Sequence, residues 1–433
     1  MQFLYVPILI SAMVVLAGLS LFFASRPLAG AVLVVATYLY ETLVYSMPVI
    51  SLGIQISPSD IVFAILFVAV TLRFALGMRK PRRREWIPIC LFVLFFISLA
   101  RGIALYGREA ASESRGWFYF LSGVLYFSSF GASPRMRKKL TNILLTAGVA
   151  LVGVAIYRWM ALAAGFTIGA EWAVARENSR VLNASQANLL AMAFFASVFL
   201  NLSNVRSKWQ CKAFYLFGPV LVVLQHRTVW AVMIAGLLLL GLQDARFRKK
   251  AIIAIIAMAI AGLVMTVFFF GHQSEVITAS LQDSATNGDT FLWRVEGWYQ
   301  LLFNNPARNT FNDTIGQPFG TGYERTFGDV HVPSNIVPHN YYIEAFLRFG
   351  LIGLLLLIFL YVLGMRRLKR LPRQLHKYAY PDVRFWRLVL FMQLAYFFTY
   401  GASYDQSILT GMAIAGFRLR LPRPTPSELA APE

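Results

Sequence analysis

Charge is scarce in this chain. Only 14% of its 433 residues are charged, against about a quarter in an ordinary soluble domain. Hydrophobic residues make up 58%, and the mean hydropathy is +0.60. A chain this apolar cannot cover itself with its own polar surface in water, which excludes the two or three soluble domains its length would otherwise suggest. Cysteine is almost missing: Cys90 lies in an apolar run and Cys211 beside a basic cluster. That spacing excludes a disulfide framework and a cysteine metal site. There is no Gly-rich phosphate loop, no metal-spaced His/Cys/Asp cluster and no serine nucleophile elbow, so the usual ATP, metal and serine-hydrolase motifs are absent. No internal repeat supports an inverted-repeat transporter.

What the chain has is long apolar runs. A spanning helix takes about 20 largely apolar residues. Candidate spans fall at 3–24, 28–47, 59–78, 86–106, 116–131, 140–164 and 181–203, then at 251–270, 341–364, 385–400 and 407–418. The run 213–242 carries Gln225-His226-Arg227-Thr228 at its middle and reads as two short helices meeting there. The fold class expected is an all-α polytopic integral membrane protein of about 12–13 transmembrane helices. The first run lacks a charged leader and a clear cleavage site and reads as a retained helix.

Acids are scarcer than bases, 20 against 40, for a formal charge of +20. In a soluble protein that excess points to nucleic acid; in a membrane protein its placement decides. Six groups at Arg79–Arg84, Arg135–Lys139, Arg206–Lys212, Arg246–Lys250, Arg366–Arg387 and Arg418–Arg423 hold 27 of the 40 cations. They occupy alternate loops if 213–242 crosses twice, and by the positive-inside rule they face the cytoplasm. Nucleic acid is therefore not an expected partner. The acids Glu109, Glu113, Glu171, Glu177, Glu275, Asp283, Asp289, Glu296, Asp313, Glu324 and Asp329 collect on the other side. The expected organisation is transmembrane helices with short loops over 1–270, one large periplasmic loop over 271–340, C-terminal transmembrane helices over 341–418 and a disordered cytoplasmic tail over 419–433. Loops as long as the second of these segments usually carry function.

Four outward-side clusters are candidates for chemistry. Arg227 lies in an apolar run; it either faces a cavity with an anionic partner or snorkels to the headgroups with Trp230 as a belt residue. Arg294 and Trp298 are four apart, on one face of a helix. Arg294 either grips a phosphate bidentately or pairs with Glu296 on an interfacial helix. His339 ends the long loop where a helix re-enters the membrane. It either accepts a proton from a bound alcohol or serves only at the helix start; His331 is a weaker candidate. Arg176, Arg180, Asn183, Gln186 and Asn188 precede or open an apolar helix, either to bind phosphate and sugar hydroxyls or as a polar helix start. Asp60, Glu41 and Asp405 read as structural acids at span ends, and nothing assigns Arg73 or Arg101.

Taken in order, these pieces resemble the bacterial O-antigen ligase / O-antigen polymerase superfamily of lipid-linked polysaccharide enzymes. The resemblance covers about 170–355. It rests on Arg180, Asn183 and Asn188 at a helix start, on His226-Arg227-Thr228 with Trp230 between apolar helices, and on Arg294 with Trp298 in the long loop. It continues through Pro318-Phe319-Gly320-Thr321-Gly322-Tyr323 to His339-Asn340-Tyr341 with Gly350 and Gly353. His226 stands where serine is common. The resemblance implies a GT-C-like membrane glycosyltransferase of the bacterial inner membrane, its active site facing the periplasm. It implies transfer of a glycan from an undecaprenyl-diphosphate carrier to lipid A-core or to another lipid-linked glycan, with inversion and without metal or cofactor. Carried over by position, Arg227 and Arg294 would hold the diphosphate with Arg180 and Arg176 assisting, and His339 would be the base. Asn340, Trp298 and Tyr323 would bind substrate. A diphosphate is already a stable anion, so its departure needs charge stabilisation more than an acid. The aromatics Trp293, Trp298, Tyr323, Tyr341 and Tyr342 either stack on sugars or form a membrane belt. The competing readings are a transporter or lipid-linked sugar flippase, and a non-catalytic scaffold of an export complex.

Overall fold

The computed structural model describes residues 5–44, 50–51, 55–78, 80–81, 85–131, 133–165, 180–202, 209–243, 289–327, 330–369 and 383–415, with isolated positions between 249 and 264. Arg176, the expected span at 251–270 for the most part, most of the basic groups and the tail lie outside these residues.

Among the described residues the fold is all-α apart from two short antiparallel hairpins. Helices α1 (Tyr5–Ser25) and α2 (Pro27–Leu43) meet at a bend of 117°. The hairpin β1–β2 (Ile50–Ser51, Gln55–Ile56) leads to α3 (Pro58–Ala75), then α4 (Trp86–Tyr106), α5 (Arg108–Ser128), α6 (Pro134–Ala163) and α7 (Ala184–Leu202). The expected run at 213–242 is indeed broken. It forms α8 (Phe214–Val223) and α9 (Arg227–Gln243), parted where Gln225 takes φ +52°. Both lean on α7 rather than along each other. The long loop holds α10 (Asp289–Phe303), α11 (Thr310–Ile315) and the hairpin β3–β4 (Arg325–Phe327, Val330–Val332). Helices α12 (Tyr341–Lys369), α13 (Val383–Tyr396) and α14 (Gln406–Ala415) complete the chain.

Five of the described helices are long and apolar enough to cross a bilayer: α3, α4, α6, α7 and α12; the bent α1–α2 pair makes a sixth span if it crosses as one. The sequence windows suggest more crossings; the one at 251–270 lies for the most part outside the described residues, and α8, α9, α13 and α14 are shorter than a span. A helix of 10 residues such as α8 or α14 is about 15 Å long, half the hydrocarbon thickness. At α5 the difference runs the other way. Its helix starts eight residues before the apolar run, because the polar turns carrying Glu113 and Arg115 are packed inside the protein.

Local sequence explains the helix starts. Ser57 and Asp60 form a reciprocal capping box on α3, with Pro58 in the first turn. Asn183 and Gln186 do the same for α7, each side-chain oxygen taking the other's backbone N–H, at 2.9 and 2.8 Å. The Asn340 oxygen accepts from the N–H groups of Tyr342 and Ile343 at the start of α12. Such caps satisfy donors that have no intrahelical partner.

Helix α5 is the hub, packed against α3, α4 and α14. Its Trp117 stacks on Tyr341 at 4.1 Å between ring centroids, and the Tyr341 N–H donates to Phe397 O. Within α12, Gly350 departs from helical geometry at φ +64°, and the backbone of Thr314 lies against it. A Cβ there would meet the Thr314 carbonyl carbon at 2.2 Å. We expect Gly350→Ala to cost about 2–5 kcal/mol, from left-handed strain together with overpacking. Thermal unfolding in detergent checks it, and an unchanged midpoint would contradict this account of the kink.

Candidate active site

A cavity of about 450 Å³ lies where the long loop meets α5, the start of α7, the α8–α9 break and the turn between α13 and α14. Arg180, Asn183, His226, Arg294 and His339 line it, together with Tyr119, Ser185, Tyr396, Tyr400, Ser403 and Tyr404. Arg180, Asn183, His226, Arg294 and His339, all singled out in the sequence and spread over about 160 positions, are thus brought together.

Each is positioned by a different device. His339 holds the last loop position at φ +51°, with Asn340 capping α12 directly after it. Few non-glycine residues take that region, although histidine is among those that do so more readily. The Trp298 indole N–H donates to Pro338 O at 2.7 Å and fixes the turn from the other side. Arg294, one helical turn before Trp298 on α10, stands 5.4 Å from the centroid of Tyr400, while the His339 ring meets the same tyrosine at 5.9 Å. Tyr400 in turn stacks on Tyr396. His226 is buried with Nε2 at 2.7 Å from Leu182 O, which ties the α8–α9 break to the start of α7.

Other expectations change. The break presents His226, not Arg227, to the cavity; the turn at Gln225 starts α9 at Arg227 and leaves that side chain exposed. Asn340, Trp298 and Tyr323 do not line the cavity either. Asn340 caps α12, Trp298 braces the His339 turn, and Tyr323 is buried beneath the loop. The Asn183 side chain is engaged in capping α7, as a polar helix start would be, although it also borders the cavity. Arg101 is structural: it donates to Gly316 O at 2.8 Å and to the Asn312 side chain at 2.7 Å. Arg73 donates to Ala24 O and lies over Phe130.

A second layer was not singled out in the sequence. Arg348, fully buried in α12, pairs with Glu113 of α5. It also donates to Pro318 O at 3.2 Å, Gly322 O at 2.8 Å and Tyr323 Oη at 3.2 Å. The second oxygen of Glu113 accepts from Gly320 N–H at 2.8 Å. The turn Pro318–Tyr323 is therefore gripped through both its carbonyls and its amides. Gly320 takes φ +90° with Tyr106 packed where a Cβ would stand, so the glycine is required there. The signal for this clamp was an arginine inside an apolar span, a costly placement that calls for a partner.

Charge states outside the spans follow burial and pairing. Burial pushes the Tyr323 hydroxyl up and the Arg325 guanidinium down. Hydrogen bonds from Arg308 hold the Asp313 carboxyl below its ordinary value. In the α13–α14 turn, burial raises the Tyr404 hydroxyl and pushes the Asp405 carboxyl up to about 7. Among the described residues no group of three or more His, Cys, Asp or Glu is arranged to hold a metal ion.

Residues 212–358 match the family model described as O-antigen ligase, the Wzy_C domain. This match, over about a third of the chain, supports the O-antigen ligase/polymerase superfamily. No curated protein and no solved structure matches it. The O-antigen ligase match contains the α8–α9 break, Arg294, the clamped turn and His339, and ends inside α12. It supports a ligase- or polymerase-type role in surface polysaccharide synthesis, and the long apolar helices fit a multi-pass membrane protein. Arg180, Tyr119 and Tyr404 reach the same cavity from outside the matched segment.

Proposed function

We propose that this protein transfers a glycan from an undecaprenyl-diphosphate carrier in the bacterial inner membrane to an acceptor sugar hydroxyl at the periplasmic face. The acceptor would be lipid A-core for a ligase or a second lipid-linked glycan for a polymerase. The observation that carries this reading is the convergence of Arg180, Arg294 and His339 on one cavity at the loop–helix boundary.

The acceptor oxygen attacks the anomeric carbon from the face opposite the diphosphate, and the configuration inverts. Its proton passes to the neutral His339 imidazole. The anomeric C–O bond to the diphosphate breaks, and the electron pair leaves on the phosphate oxygen. Arg294 and Arg180 stabilise that developing charge through guanidinium forks that suit phosphate oxygens. The carrier's lipid chain stays in the bilayer while its sugars react above it, and the clamped loop covers them.

Geometry ranks the arginines. Arg294→Ala should lower turnover of a lipid-linked glycan by about 10²–10³-fold, the usual cost of removing one donor from a charge-stabilising site. Arg227→Ala should cost less than about tenfold, because its side chain is exposed and does not line the cavity. Both are read with purified protein in nanodiscs and by gels of cell-surface glycan. Normal glycan from Arg294→Ala at normal protein level would sink the proposal; a larger loss at Arg227 than at Arg294 would reverse the ranking.

A further inference from the structure

The cavity is chemically two-sided. Arg180 and Arg294 supply donors and positive charge, whereas Tyr119, Tyr404 and Ser185 supply rings and hydroxyls. The hydrogen bonds of those three hydroxyls share a pattern. Tyr119 Oη donates to Asp60 Oδ1 at 2.5 Å. Tyr404 Oη donates to Glu41 Oε2 at 2.5 Å. Ser185 Oγ donates to Asn183 Oδ1 at 2.8 Å and receives the Tyr38 hydroxyl at 2.9 Å.

The acids behind the two phenols are themselves fixed. Asp60 is the capping-box acid of α3, taking Ser57 N–H at 2.7 Å, and lies 3.6 Å from Arg115 Nε. Glu41 takes Ser59 N–H at 3.1 Å through its other oxygen. The rings are packed as well: Phe63 stacks on Tyr119 at 5.2 Å and meets Tyr404 edge-on at 5.3 Å.

A hydroxyl has one proton to give. Each of these three gives it to a group behind the wall, so toward the cavity its oxygen can only accept. A diphosphate is also acceptor-only and finds no partner on such a surface. A sugar ring has several O–H donors and an apolar face, and it matches both the oxygens and the aromatic rings.

We propose that Tyr119, Tyr404 and Ser185 form a sugar-binding subsite that accepts hydrogen bonds from the glycan's hydroxyls, beside a cationic subsite that holds the diphosphate. Asp60 and Glu41 are positioning residues: they act through the phenols by taking their protons. This assignment rests on the glycan-transfer reading above and names where in that site the sugar lies.

Binding to purified full-length protein in nanodiscs tests it, with two probes: undecaprenyl diphosphate, and the same lipid bearing one hexose. Wild type should bind the hexose-bearing probe more tightly. Tyr119→Phe and Tyr404→Phe should each weaken that probe by about 3- to 10-fold, the worth of one hydrogen bond. The bare lipid should bind within twofold of wild type. Phenylalanine keeps the ring packing, and an unchanged unfolding midpoint confirms the fold of each variant. Asp60→Ala removes the acceptor of the Tyr119 proton and should weaken the hexose probe alone. Equal weakening of both probes, or of neither, overturns the subsite while leaving the transfer reading in place. Failure of wild type to bind either probe overturns both.

Discussion

Replacing His339 by alanine should lower glycan transfer by about 10²–10⁴-fold, the range of a lost general base, while the protein still folds and inserts. The side chain is only part-buried, and the neighbours that hold its turn do so through backbone atoms. Trp298 donates to Pro338 O, and Asn340 caps α12 whatever residue precedes it. The backbone needs separate control, because His339 sits at φ +51°, where alanine is strained and asparagine is tolerated. His339→Asn keeps that conformation and removes the proton acceptor. Both variants should lose transfer in nanodiscs at normal expression, and bare undecaprenyl diphosphate should still bind. Restored transfer in His339→Asn would show that backbone shape, not the imidazole, is what the site requires. In cells the same variants separate the two chemistries: accumulated lipid-linked polymer with no attached glycan marks a ligase, and single repeats without long chains mark a polymerase.

The second large effect is structural. Arg348→Met should destabilise the protein by about 3–5 kcal/mol, the cost of leaving one member of a buried ion pair alone. Glu113 would then be left beside Tyr323 without its cation, and the carbonyls of Pro318 and Gly322 would lose their donor. Loss of transfer alone would not distinguish this clamp from a substrate contact. The distinguishing readouts are a lowered unfolding midpoint and faster proteolysis within 310–337, with the same pattern in Glu113→Ala. The double variant Arg348→Met with Glu113→Leu removes both charges and should recover part of the lost stability. No recovery would mean that the hydrogen bonds to the turn, rather than the ion pair, carry the effect.

Much of this fold was readable from apolar run length, and several site residues from the cost of polarity at a membrane boundary. The break at Gln225–Arg227 showed because an arginine interrupts two apolar runs. Arg294 and Trp298 were read as one helical face, and α10 carries both. What the sequence could not resolve were directions finer than one residue. A single left-handed residue at Gln225 decides that His226 and not Arg227 meets the cavity. Asn183 and Asn340 look like ligands, but a side-chain amide also satisfies a helix's first N–H groups, and both do so here. The phenol–carboxylate pairs were invisible for a different reason. Tyr404 and Glu41 are 363 positions apart, and the acids at span ends carry no local pattern that names their partners.

The left-handed turn at His339 constrains how such a chain can diversify. The backbone before His339 is held by the Trp298 indole at Pro338 O, and the backbone after it by the Asn340 cap of α12. The hairpin Arg325–Val332 is braced on α10, where the Gln300 side chain exchanges hydrogen bonds with the Thr326 backbone, so a change there reaches the His339 turn through the helix that carries Trp298. Variation in the hairpin is thus coupled to the shape of the cavity, and a lineage that alters one must accommodate the other.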